Sequence, residues 1–266
     1  MADDPRVALI AGATGLVGAR VLEGLLADPA YARVHAIGRR PLPDAQRPAG
    51  GAPDRLVEHV VDFAALTRST PLPPIDDVFL CLGTTIRVAG SQEAFRRVDF
   101  DATVGIARLA RRAGASRCVV VSALGADPRS PVFYNRVKGE TEAALAAIDF
   151  PSLTVLRPSL LDGDRSERRP AERATLVVTR PLARLIPARW RPVTDRAVAR
   201  CMLDAARRGT PGLRVLESDR IQAFAGLCTA SSGGSIAGRS APRGPLRLRH
   251  RPATAPRRTP ERTPSR

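Results

Sequence analysis

Tyr134 and Lys138 stand at i and i+4 in the run Tyr134-Asn135-Arg136-Val137-Lys138, a spacing that puts both side chains on one face of a helix. An ammonium beside a phenol favours the phenolate and draws its pKa from about 10 toward neutrality. A tyrosine tuned in this way can hand a proton to a carbonyl oxygen as hydride arrives, or take it back in the reverse direction. Ser122 ends an apolar run twelve residues earlier and can hold that oxygen. Lys138 is the only lysine among 42 basic residues, and Tyr134 is one of two tyrosines. Arginine serves everywhere else in the chain. A surface ion pair would accept arginine here, whereas a compact charge that bonds a phenol and a ribose would not. Ser122, Tyr134 and Lys138 are therefore read as the catalytic set.

A hydride needs a donor, and the stretch Val7-Ala8-Leu9-Ile10-Ala11-Gly12-Ala13-Thr14-Gly15-Leu16-Val17-Gly18 offers a place for one. A buried-strand pattern ends in a glycine-rich turn, and apolar residues Leu16, Val17, Val21, Leu22, Leu25 and Leu26 follow at helical spacing. Gly12 permits a tight exit from the strand, Gly15 lets backbone N–H groups approach a pyrophosphate, and Gly18 allows close helix–sheet packing. The helix N-terminus supplies the anion site. The next strand, Val34–Ile37, ends at Gly38-Arg39-Arg40 rather than at an acid, which favours the 2′-phosphate of NADP and leaves NAD as the lesser choice. After a third strand, Leu56–Val61, Asp62 could meet the adenine ring or cap the short helix behind it. A fourth strand, Asp77–Gly83, ends in Gly83-Thr84-Thr85, small residues that suit a backbone passing close to a cofactor.

The elements that must position these residues alternate. A long helix over Ser91–Gly114 carries Phe95, Val98, Ala102, Ile106, Leu109 and Ala110 as a core stripe. Arg117–Ser122 reads as a central parallel strand and Ser152–Arg157 as a sixth. Alternating strands and helices imply an α/β fold, a Rossmann-type doubly wound parallel sheet with a small C-terminal substrate lobe. The expected organisation is a dinucleotide-binding core over 1–157, a substrate-facing lobe over 158–226 that completes the domain, and a disordered basic tail over 227–266. In the lobe, Arg157, Arg165, Arg168 and Arg169 could bind an acidic substrate or stand solvated, and Trp190 is expected to pack. Asp195–Arg208 reads as an amphipathic helix with Val198, Cys201, Met202 and Ala205 inward.

The net charge of +16 raises the question of nucleic acid. Half of it sits in residues 227–266, where nine Arg face one Glu among Pro, Ser, Thr and Gly. Such a segment cannot bury enough apolar surface to order itself. A basic arm for nucleic acid or anionic lipid is one reading; a by-product of a G+C-rich gene is the favoured one. No specific nucleic-acid motif or aromatic platform accompanies the charge. Four cysteines lack paired spacing, and His35, His59 and His250 lack metal-ligand spacing, so no metal site is expected and the strand histidines read as core. An acidic N-terminus without an apolar leader, and no window long enough to span a membrane, point to a cytoplasmic protein. Monomer and homodimer are both compatible with the sequence.

The glycine turn, Ser122 and Tyr134-x-x-x-Lys138 resemble the short-chain dehydrogenase/reductase superfamily in its atypical branch. Cys81-Leu82-Gly83-Thr84-Thr85, Arg97-Val98-Asp99, Val121–Asp127, Val137–Glu140 and the stretch from Leu156-Arg157-Pro158 to Arg169-Pro170 resemble the Tat-interacting-protein oxidoreductase-like family over roughly residues 6–222. The resemblance implies NADP(H) binding through Gly12, Thr14, Gly15, Leu16, Val17, Arg39 and Arg40, with Gly83, Thr84, Tyr134 and Lys138 completing the pocket. It implies Ser122, Tyr134 and Lys138 as the catalytic set, acting on a small carbonyl or alcohol. Animal members also act as regulatory binding proteins, so a dinucleotide-binding regulator or redox sensor without turnover is the alternative. Many superfamily members carry Asn where this chain has Asp99, and an ionised acid cannot donate as an amide does.

Overall fold

Seven parallel strands form the centre of the computed structural model, which describes residues 5–47, 53–65, 71–162 and 187–231. In chain order the elements of the sheet are β1 (Arg6–Ala11), β2 (Tyr31–Gly38), β3 (Leu56–Val60), β4 (Asp77–Leu80), β5 (Arg117–Val121), β6 (Ser152–Arg157) and, after a two-stranded ribbon of β7 (Leu161–Asp162) and β8 (Val193–Thr194), β9 (Gly212–Glu217). Their spatial order is β3-β2-β1-β4-β5-β6-β9. The order reverses between β1 and β4, which register Leu9 on Val78 and Ala11 on Leu80. In a doubly wound sheet the ligand crevice opens outside the carboxyl ends of the strands at that switch.

Side-chain alternation along each strand feeds two cores. Ala8 and Ile10 of β1 join Val17, Val21, Leu22 and Leu25 of helix α1 (Leu16–Ala27) and Val198 and Met202 of the helix Asp195–Arg208 on one face. Leu9 and Ala11 join Ile106 and Ala110 of the helix Thr103–Arg112 and Leu145 of the helix Phe133–Ala146 on the other. Period-two alternation on a sheet covered on both sides explains why these strands read as nearly continuous apolar runs.

The expected long helix is interrupted. Between β4 and β5 stand a short helix α2 (Ile86–Ala89), then α3 (Gln92–Arg96), a π-helical turn over Arg97–Ala102, and α4 (Thr103–Arg112). The wider π turn breaks the 3.6-residue stripe, so Asp99 is sealed at 1% exposure while Val98 lines a cleft instead of the core. Thr85 caps α2 by accepting the Val88 N–H, and Gly90 ends it in the left-handed region at φ 87°.

Helix α5 (Phe133–Ala146) carries Tyr134 and Lys138. Gly139 lets it lie against the preceding loop, since a Cβ there would meet Asp127 C and Pro128 N at 2.3 Å. Of the segment expected as a substrate lobe, α6 (Asp195–Arg208) packs back on α1 and β9 extends the main sheet beside β6. Gly212 to Val215 of β9 are exposed, as suits the edge strand of the sheet. Helix α7 (Ser218–Ser231) runs five residues past the composition break at Gly226. Arg165, Arg168 and Arg169 lie outside the described residues, as do residues 232–266. Among the described residues no helix is long and apolar enough to cross a membrane.

Candidate active site

The glycine turn takes the shape its spacing requires. Gly12 sits at φ 86°, and a Cβ on it would lie 2.5 Å from the Cys81 carbonyl oxygen at the exit of β4. The Gly15 N–H donates to the Gly12 carbonyl at 3.0 Å. Gly18 brings α1 against the turn, for its Cβ would fall 2.0 Å from the Gly12 oxygen. Gly15 caps α1 with no side-chain hydrogen bond, and no acid stands in the first turn. The first N–H groups of α1 and its positive dipole end are therefore free of any competing carboxylate, which fits a pyrophosphate.

In front of this turn lies a cleft of ≈ 250 Å³. It brings together Gly12, Thr14, Gly15, Arg39, Arg40, Gly83 and Thr84 of the expected binding residues. Leu16, Val17 and Gly18 stand behind it in α1, where Val17 and Gly18 are buried. Asp62 takes the capping alternative: its Oδ1 accepts the Ala64 N–H at 3.0 Å, and it does not line the cleft. Sequence reasoning missed Glu58, His59, Phe63, Val88 and Val98, which also line it. Alternation along β3 and the Thr85 and Gly90 caps of α2 were the available signals for two of these segments.

Arg39 and Arg40 are exposed, and their guanidinium groups hold no ion pair or hydrogen bond among the described residues. Glu58, the carboxylate of the same cleft, is committed: it accepts the Leu42 N–H at 2.8 Å and pairs with Arg47 Nε at 3.1 Å.

Tyr134 and Lys138, expected to complete the pocket, do not line this cleft. No hydrogen bond joins Tyr134 to Lys138 or Ser122 among the described residues, and Lys138 takes Asp99 as its partner. Lys138 Nζ lies 2.6 Å from Asp99 Oδ1, both side chains buried. Asp99 Oδ2 accepts the Thr84 N–H at 3.0 Å, so one carboxylate ties α5 to the loop leaving β4. Burial pulls the Lys138 ammonium down, but Asp99, Tyr134, the hydrogen bond to Asp99 and Glu142 outweigh it and hold its pKa above the usual lysine value. Tyr134 packs its ring on Phe95 at 5.5 Å between centroids. Gly83 joins this corner to the cleft: a Cβ on it would lie 3.8 Å from Asp99 Oδ1 and 3.9 Å from Lys138 Nζ.

Ser122 and Lys138 also line a second cavity of ≈ 10 Å³, which shares Leu82 with the cleft. The Ser122 hydroxyl donates to Glu142, one turn beyond Lys138 on α5. Arg157 grips that carboxylate through Nε at 3.0 Å and Nη2 at 2.6 Å, and reaches Glu217 through Nη1 at 3.0 Å. Arg157 is thus half-buried and committed to two carboxylates. Trp190 does not pack as expected; it is 53% exposed, with the Arg189 guanidinium 5.1 Å over its ring.

A family model described as NAD(P)H-binding matches residues 12–207. The protein fmp52-1 of Aspergillus terreus, named as mitochondrial, is 36% identical over 221 residues, 80% of this chain and 89% of the relative. The rat protein HTATIP2 is 39% identical over 164 residues, 61% of this chain and 66% of the relative. Among solved structures, UDP-glucuronic acid 4-epimerase from Bacillus cereus in complex with NAD aligns at a TM-score of 0.59 and 16% identity, covering 86% of this chain and 84% of that one. The Bordetella bronchiseptica enzyme WbmF with NAD+ aligns at a TM-score of 0.58 and 15% identity over 90% and 82% of the two chains. Likeness at that identity speaks to the fold alone. The cytoplasmic expectation is overturned by the relatives named as mitochondrial. It rested on an acidic N-terminus without an apolar leader and on the lack of a membrane-spanning window, features that do not separate the cytosol from a mitochondrial compartment. With the model spanning most of the chain and the relatives agreeing, this protein belongs to the NAD(P)H-binding family, a Rossmann-type, oxidoreductase-like kin of the fmp52 proteins and HTATIP2.

Proposed function

We propose that this chain is an NADP(H)-dependent oxidoreductase that interconverts a small carbonyl compound and its alcohol. The observation that carries the reading is the position of Gly83, a wall of the cleft: a Cβ added to it would fall within 4 Å of both Asp99 and Lys138, the pair one turn from Tyr134. Gly83 follows β4 whereas Arg39 and Arg40 follow β2, which supports a reading with the acid–base residues beyond the end of the cleft opposite the two arginines. A nicotinamide dinucleotide held by the Gly12–Gly15 turn, Arg39, Arg40, Gly83 and Thr84 would supply or accept the hydride. The Tyr134 phenol gives its proton to the carbonyl oxygen in reduction and takes it back in oxidation, a contribution on the order of 10²–10⁴ in rate. Lys138 stays charged at neutral pH, one helical turn from Tyr134, and Asp99 offsets part of its field. Ser122 spends its proton on Glu142 and offers the crevice lone pairs, which suits the hydroxyl of the alcohol. Two uncommitted guanidinium groups at the far end, with Glu58 already occupied, favour the 2′-phosphate of NADP.

A second reading, a dinucleotide-binding regulator or redox sensor without turnover, draws support from that same Asp99, which takes up charge the phenol would otherwise feel. NADPH oxidation across a panel of aldehydes and ketones separates the two. Tyr134→Phe should lower turnover by at least about 10²-fold with the NADPH Kd unchanged. Tight NADPH binding with no turnover of any carbonyl would overturn the enzyme and leave the regulator.

A further inference from the structure

His35 on β2 and His59 on β3 form a pair, with His35 Nδ1 2.8 Å from His59 Nε2 and the rings 5.1 Å apart at 26°. Nothing in the catalytic arrangement uses them. His35 is 4% exposed, and its second nitrogen, Nε2, is sealed with no hydrogen-bond partner. Burial, then the neighbouring His59, then Arg33 push the His35 pKa down to about 4, and burial lowers that of His59. At neutral pH the two rings are therefore uncharged and share one proton along their contact.

Which ring donates follows from the sealed nitrogen. If His59 donated, His35 would carry its own proton on Nε2, an N–H buried without an acceptor, which folded proteins avoid. If His35 donates through Nδ1, its Nε2 is a bare lone pair, the cheaper arrangement. His59 Nε2 then accepts, and its proton must sit on Nδ1. His59 lines the cleft together with Arg39, Arg40 and Phe63. Its Nδ1 is not sealed and has no partner among the described residues.

We propose that the His35–His59 pair holds the His59 Nδ1–H as a fixed donor to an acceptor on the adenosine half of the bound dinucleotide, either a 2′-phosphate oxygen or a ring or ribose acceptor. Here His59 is the contact and His35 the positioning residue that sets its tautomer. The inference rests on the cleft holding the dinucleotide, and one rigid donor in place of a mobile one adds affinity without a new charge.

The test is binding of NADPH and of NADH to the full chain, with nitrogen-15 NMR of its histidines. His59→Leu should weaken NADPH by roughly 3–10-fold. His59→Gln, which restores an N–H, should return to within about twofold of wild type. A loss confined to NADPH assigns the acceptor to the 2′-phosphate; an equal loss with NADH assigns it to the adenine or ribose. The His59 ring should show the Nδ1–H tautomer in wild type and lose that preference in His35→Leu. Binding of both dinucleotides within about twofold of wild type in His59→Leu overturns the proposal. So does an Nε2–H tautomer at His59, a result readable even if the variant fails to fold. Failure of the wild type to bind either dinucleotide would remove the cleft reading itself.

Discussion

Lys138 Nζ and Asp99 Oδ1 lie 2.6 Å apart with both side chains buried, so the one lysine of the chain is held by an acid from the π turn. A buried charge is costly alone and tolerable in company. Asp99→Ala strands the ammonium and frees the Thr84 N–H; it should cost about 3–5 kcal/mol in urea unfolding. Adding Lys138→Met should recover part of that loss, because the stranded charge goes with it. A single Asp99→Ala change within about 1 kcal/mol of wild type would show the pair to be incidental.

Two glycines in the first turns of their helices should behave in opposite ways. At Gly18 an added Cβ meets the Gly12 oxygen at 2.0 Å, and backbone cannot swing aside as a side chain can. Gly18→Ala should therefore deform the phosphate turn, weaken NADPH by at least about tenfold and cost about 1–3 kcal/mol. At Gly105 of α4 the same Cβ meets nothing within 4 Å. Gly105→Ala should stabilise by about 0.5–1 kcal/mol, as expected for a helix interior. Calorimetric Tm and NADPH titration on both variants check the contrast.

His35 gives stability a pH dependence of known sign. Its pKa is pushed from the usual 6.5 down to about 4, so the unfolded chain takes up the proton first as pH falls. The stabilising contribution is complete above about pH 6.5 and drains away between there and about pH 4. The loss should be on the order of 1–3 kcal/mol across that window, and His35→Leu should flatten it. Unfolding free energies at pH 7, 5.5 and 4.5 decide the matter; a slope unchanged in the variant assigns the effect to other groups.

Glu142 joins three strand ends through Ser122, Arg157 and, beyond it, Glu217. Glu142→Ala should cost about 1.5–3 kcal/mol, the range for hydrogen bonds to charged groups, and lower Tm by roughly 3–10 °C. Arg157→Lys should do nearly as much harm, since an ammonium cannot reproduce the two-pronged grip. A lysine variant as stable as wild type would mean that the charge alone suffices.

What could be read along the chain was local. Strand β1, the glycine turn and α1 form one continuous segment, and β4, β5, β6 and α6 each carry their own apolar period, so order and type of element followed from spacing. Tyr134 and Lys138 shared a face for the same reason. The partners of those residues did not follow. Asp99 meets Lys138 only because the π turn rotates it inward, and Ser122, Glu142 and Arg157 come from three elements. His59 read as core from its own strand; its neighbour on β2 and the opening beside it belong to the assembled sheet.

Taken by itself, the sequence determined a doubly wound α/β sheet, a dinucleotide turn at Gly12–Gly18 and a tyrosine–lysine pair on one helix, because those depend on backbone periodicity and on neighbours a few residues apart. The tertiary structure alone decided which acid holds the lysine, where the serine spends its proton and which histidine faces the cleft. Charge pairing and hydrogen bonding between strand ends are set by how sheet and helices stack, and no period along the chain encodes that stacking.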